Sequence, residues 1–119
     1  MPSSPRAVAE RRLLELHDAT CRILAHPTRL AMLEALRGGE RTVTDLVAAV
    51  GTTAGNVSQH LAPMREAGVV QVRRAGRFAY YRISDPRIVR AFGLMREVLL
   101  ARLTRDARLA DHAGAGARR

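Results

Sequence analysis

The stretch TVTDLVAAVGTTAGNVSQHL, residues 42–61, decides the fold. Thr42 followed three residues later by Asp45 has the form of a capping box, with the threonine as N-cap and the acid at the third helical position. Leu46, Val47 and Val50 then recur on one helical face, and Gly51 stops the helix because glycine takes left-handed backbone angles without penalty. Thr52 or Thr53 caps the next helix, along which Val57, Leu61 and Met64 form an apolar stripe. Pro63 falls in its later half and is expected to bend or weaken it. Two short helices joined by a tight turn predict a helix-turn-helix, in which the second helix enters a DNA major groove.

Upstream, the pattern from about Arg6 to Ala25 is helical, with Leu13, Leu16, Thr20 and Ile23 on one face. His26-Pro27-Thr28 reads as a new helix start, because proline is tolerated in a first turn, and His26 is expected to cap or pack there. Leu30, Leu33 and Leu36 line this helix, and Gly38-Gly39 ends it. Downstream, Val69–Arg73 and Phe78–Ile83 read as two strands around a turn at Gly76, with Arg73, Arg74 and Arg77 at a basic tip. Ser84 or Asp85 caps a last helix that has Pro86 in its first turn and the stripe Ile88, Phe92, Met95, Leu99 and Leu103. The fold class is mainly α with a β-hairpin wing, a winged helix-turn-helix of order α-α-α-α-β-β-α. Residues 1–5 read as a disordered leader, 6–107 as the DNA-binding and dimerisation domain, and 108–119 as a flexible basic tail.

Composition narrows the function. The 119 residues allow one domain, and 47% apolar with 26% charged residues is a globular balance rather than a disordered one. The net charge is +9, from 20 basic residues, all arginine, against 11 acidic ones, which calls for an anionic partner such as nucleic acid. Aromatics are only 3%, too few to stack single-stranded bases, so the expected partner is duplex DNA. No apolar run can span a bilayer and no signal-type segment opens the chain, so no membrane partner is expected and the cytoplasm is the expected location. One cysteine, Cys21, excludes an internal disulfide and a cysteine-rich zinc site. The histidines at 17, 26, 60 and 112 are scattered, with no nucleophile–base pair or phosphate-cradling glycine loop, so no enzyme is expected.

The DNA-facing candidates are Thr53, Ala54, Gly55, Asn56, Ser58, Gln59 and His60 on the second helix of the motif, and Arg73, Arg74 and Arg77 on the wing. Small residues let a helix approach base edges, Asn and Gln can bond adenine in two places, and Ser can bond a base or a phosphate. A merely solvated face in a chain of this charge would carry acids, and this one has none before Glu66. His60 is expected to support a backbone contact or packing. The alternative function is a winged-helix adaptor that binds protein without specific DNA binding. It predicts an acidic or apolar face in that place.

The set Leu24-Ala25-His26-Pro27-Thr28-Arg29-Leu30-Ala31-Met32-Leu33, Val57-Ser58-Gln59-His60-Leu61, Ala67-Gly68-Val69-Val70 and Gly76-Arg77 with Tyr81-Arg82-Ile83 resembles the ArsR/SmtB family of bacterial repressors, over roughly residues 20–92. The resemblance implies a dimeric winged helix that sits on its own operator and is released by an inducer. It also implies a two-fold interface made by the first and last helices, here Leu13, Leu16, Thr20, Ile23, Ile88, Phe92, Met95 and Leu99. Such a homodimer presents two recognition helices about 34–36 Å apart to a near-palindromic operator. The family's usual metal sites are not matched. Thr42 and Thr44 stand at the cysteine positions of one. Asp85 is present for the other, but Arg87, Val98 and Ala101 stand where further ligands are needed. No cofactor is expected. His17 and Cys21, four apart on one helical face, are the candidate sensing residues, through a soft metal or thiol modification at Cys21, against the alternative of a plain small apolar residue.

Overall fold

A computed structural model of the chain describes residues 4–117, and side chains through 114. The elements run α1 (Pro5–Leu24), α2 (Pro27–Leu36), α3 (Val43–Val50), α4 (Ala54–Glu66), β1 (Val70–Ala75), β2 (Phe78–Ile83) and α5 (Pro86–Ala117). The chain divides into two compact units, one ending at Pro86 and one that is the remainder of α5.

Local chemistry sets each boundary of the first unit. In α3, Thr42 Oγ1 accepts from the Asp45 N–H at 3.2 Å while the Asp45 carboxylate accepts from the Thr42 N–H at 3.0 Å, a complete capping box. These bonds favour the charged acid and hold the Asp45 pKa below its ordinary value. Gly51 closes α3 in the left-handed region at φ 76°. Thr53 caps α4, its side chain accepting from the Asn56 N–H at 3.1 Å. α4 passes through Pro63 to Glu66, so the proline removes one donor, to the Gln59 carbonyl, without ending the helix. His26 caps α2, its Nδ1 accepting from the Thr28 N–H at 3.1 Å.

The buried core consists of Leu24, Met32, Leu33, Leu36, Leu46, Val57, Leu61, Met64, Val69, Val70 and Tyr81. Helices α1–α4 and the hairpin all contribute to it. The hairpin is antiparallel, with Val70 opposite Ile83 and Ala75 opposite Phe78, leaving Gly76 and Arg77 as a two-residue turn. Gly76 sits at φ 60°, and a first turn position of that sign suits glycine in tight hairpins. Arg41 extends the sheet: its N–H donates to the Tyr81 carbonyl at 3.0 Å, and the Tyr81 N–H donates back at 2.8 Å. The α2–α3 connection is thereby pinned to the wing.

Both chain ends differ from the sequence reading. Of the expected leader, Ser4 is the N-cap of α1, accepting from the Ala7 N–H at 3.1 Å, and Pro5 is the first helical residue. Residues 1–3 lie outside the described residues. The expected flexible tail is helical as far as Ala117, because the alanines, leucines and arginines after Leu100 are strong helix formers that carry the ladder past Gly114 and Gly116. Arg118 and Arg119 lie outside the described residues.

Candidate nucleic-acid interface

α3 and α4 form the predicted helix-turn-helix, and α4 divides cleanly into two faces. Val57, Leu61 and Met64 are buried. Ala54, Gly55, Ser58 and Gln59 are exposed, as is the capping Thr53. The backbone N–H groups at the start of α4 add partial positive charge to this surface. No carboxylate falls among residues 53–65, so nothing on this helix face repels a phosphate.

Two candidates on α4 are held by the protein itself. Asn56 is half-buried and donates from Nδ2 to Thr52 Oγ1 at 2.8 Å, which fixes its amide beside the cap. His60 is half-buried and turned toward α2. Its Nδ1 accepts from Arg29 Nε at 3.1 Å, and its ring packs on His26 with centroids 4.5 Å apart. Burial, then the charges of His26 and Arg29, hold its pKa below the ordinary 6.5. The packing role expected of His60 is the one its geometry supports, and it leaves the outward face. Arg29, which sequence reasoning did not single out, is its partner. A basic residue in an apolar helix start was the available signal.

The wing also divides. Arg74 and Arg77 are exposed, with no ion pair to any described residue. Arg73 instead makes a two-pronged pair with Glu40, Nε to Oε1 at 3.2 Å and Nη2 to Oε2 at 2.8 Å, and lies 4.6 Å over the Tyr80 ring. That pairing lowers the Glu40 pKa and raises that of Arg73. Arg73 therefore leaves the set of free tip cations. It braces the wing against the α2–α3 connection, an effect invisible in sequence because its partner lies 33 residues away.

Of the eight residues expected at subunit contacts, all but Thr20 are apolar, and four are exposed. α1 exposes Leu13 and Leu16, with Leu14 and Val8 beside them. Thr20 and Ile23 are half-buried, Thr20 Oγ1 donating to the Leu16 carbonyl at 2.7 Å. In α5, Met95 and Leu99 are exposed together with Leu94, Val98, Leu100 and Leu103, while Ile88 and Phe92 are half-buried. Cys21 is exposed on α1, its Sγ 4.0 Å from His17 Nε2. Among the described residues, no group of three or more His, Cys, Asp or Glu is placed to hold a metal, and no helix is long and apolar enough to cross a membrane.

Residues 26–72 match the family model described as "Bacterial regulatory protein, arsR family". The chain is 39% identical over 95 residues to the HTH-type transcriptional regulator Rv0081 of Mycobacterium tuberculosis, covering 79% of this chain and 82% of that protein. It is 38% identical over 95 residues to the HTH-type transcriptional regulator CmtR of Mycobacterium bovis, covering 80% of each. Among solved structures, the homodimeric winged helix-turn-helix DNA-binding domain Mb0332 of Mycobacterium bovis superposes with a TM-score of 0.73 at 33% identity, covering 85% of this chain and 91% of that one.

Proposed function

The chain belongs to the ArsR family of bacterial regulatory proteins, and we propose that it acts as a homodimeric repressor that binds duplex DNA sequence-specifically through α4 and the β1–β2 wing. The observation that carries this reading is the outward face of α4. Ala54, Gly55, Ser58 and Gln59 stand free on the second helix of the motif, without a carboxylate, in the same unit as two unpaired wing arginines. Ser58 and Gln59 are the base-reading candidates, and Arg74 and Arg77 are the phosphate candidates. The adaptor alternative asks for an acidic or apolar face, which α4 does not present.

Exposed apolar side chains on α1 and on α5 are assigned to subunit contacts, since so many uncovered leucines are unusual for a monomer. The operator is then near-palindromic, matching the two-fold axis. Release of DNA by an inducer, which the family resemblance implies, would use neither of the family's usual metal sites, since Thr42, Thr44, Arg87, Val98 and Ala101 stand where ligands are needed. Thr42 is committed to the capping box of α3.

The test is fluorescence anisotropy at fixed near-physiological salt. It compares DNA upstream of the chain's own gene, and duplexes selected from a randomised pool, with a scrambled duplex of equal length. Preferential binding supports the regulator. Equal weak binding to all of them overturns sequence-specific recognition and favours the adaptor.

A further inference from the structure

His60 sits one residue after the proposed base-reading Gln59, yet it is half-buried and ties α4 to α2 and, through Arg29, to the end of α1. A guanidinium N–H can only donate, so the 3.1 Å contact from Arg29 Nε requires a lone pair on His60 Nδ1. Arg29 uses Nη1 to donate to the Ile23 carbonyl at 3.0 Å. One side chain of α2 thus joins the last turn of α1 to the middle of α4. The His26 ring lies tilted at 46° against that of His60, and its own Nδ1 accepts from the Thr28 backbone N–H. In this arrangement His60 is therefore neutral, with its proton on Nε2. The groups whose charge bears on His60 are His26, from the start of α2, and Arg29, from α2 itself. Among the described residues no carboxylate offsets them.

We infer that Arg29 and His60 are positioning residues of the recognition helix and form a proton-sensitive catch. Neutral His60 holds α4 to α2 and to the end of α1, and protonated His60 releases it. Protonation converts Nδ1 from acceptor to donor, facing another donor, and places an imidazolium within hydrogen-bond distance of a guanidinium. The depressed pKa fits a site arranged for the neutral ring. For a histidine with a lowered pKa, the held state is intact above the ordinary value. It weakens as pH falls below about 6.5, because the released state takes up the proton more readily. One linked proton changes the balance by up to about tenfold per pH unit within that window. The consequence for DNA rests on the proposed function; the catch itself does not.

The experiment uses the isotopically labelled full chain from about pH 8 to about pH 5.5. NMR follows the His60 ring and the amides of residues 54–59, and anisotropy follows the selected and scrambled duplexes. Wild type is compared with His60→Asn, whose amide oxygen can replace the Nδ1 acceptor but does not titrate, and with His17→Asn as an exposed control. The α4 amides should shift with the His60 titration. Preferential DNA affinity should fall, by up to about tenfold, between about pH 6.5 and about pH 5.5 in wild type and in His17→Asn, and should stay flat in His60→Asn. Amides indifferent to His60 protonation, or an acid loss undiminished in His60→Asn, overturn the catch. If no duplex is preferred at any pH, the DNA reading fails instead, and the amide titration alone decides the catch.

Discussion

Arg77→Ala and Arg73→Ala should differ in salt dependence although the two arginines lie four residues apart on one hairpin. Arg77 is exposed at the turn with no ion pair to a described residue, so on DNA its charge is available to a phosphate. Each neutralised phosphate contributes about 0.9 to the slope of log affinity against log salt. A homodimer has two wings, so Arg77→Ala should flatten the slope by about 1.8. At about 50 mM salt the substitution should then cost about twelvefold more in affinity than at about 200 mM, because a fourfold change in salt raised to that power is about twelve. Arg73 is already paired in two places with Glu40, so its removal deletes no free cation. Arg73→Ala should leave the slope near that of wild type while loosening the wing. The assay is an anisotropy titration of each variant at several salt concentrations on one duplex. If Arg73→Ala flattens the slope as much as Arg77→Ala, Arg73 abandons Glu40 for phosphate and the division of the wing is refuted.

Gln59→Ala should weaken the preferred duplex by about 1–3 kcal/mol and the scrambled duplex much less; equal losses on both would remove Gln59 from base reading. Leu46→Ala, at a side chain that is fully buried between α3 and its neighbours, should lower unfolding free energy by about 2–5 kcal/mol in a denaturant titration. A loss under about 1 kcal/mol would mean that the core closes around the gap. Leu99→Arg on the exposed stripe of α5 should shift sedimentation toward monomer and weaken DNA binding in parallel, and an unchanged dimer would take α5 out of the subunit contact.

Much of the fold was legible because its signals are local. The Thr42–Asp45 box, Gly51, the Thr53 cap and the His26-Pro27 start each act within four residues of themselves, and each appears in the structure where the sequence puts it. The chain ends differ from the sequence expectation for a related reason. Ser4-Pro5 is itself a cap signature within the Pro/Ser run, and the helix formers around the glycines at 114 and 116 outweigh the cost of those glycines. Asn56 shows the limit of face assignment: its partner, Thr52, is only four residues away, yet periodicity alone placed the amide outward.

The sequence by itself determined the order of the elements, the helix-turn-helix and the apolar stripes, because helix caps, turn glycines and 3.6-residue periodicity act over a few residues. Only the tertiary structure decided which polar side chains remain free for a partner. Gln59 and His60 are adjacent in sequence, and Arg73 and Arg77 share one hairpin, so no local pattern separates them. What separates them is contact across the fold: Arg29 reaches His60 from 31 residues away, and Glu40 reaches Arg73 from 33. A hydrogen bond or ion pair of that kind forms only after the core has brought distant backbone together, and it then withdraws the side chain from the surface that a sequence reading assigns it.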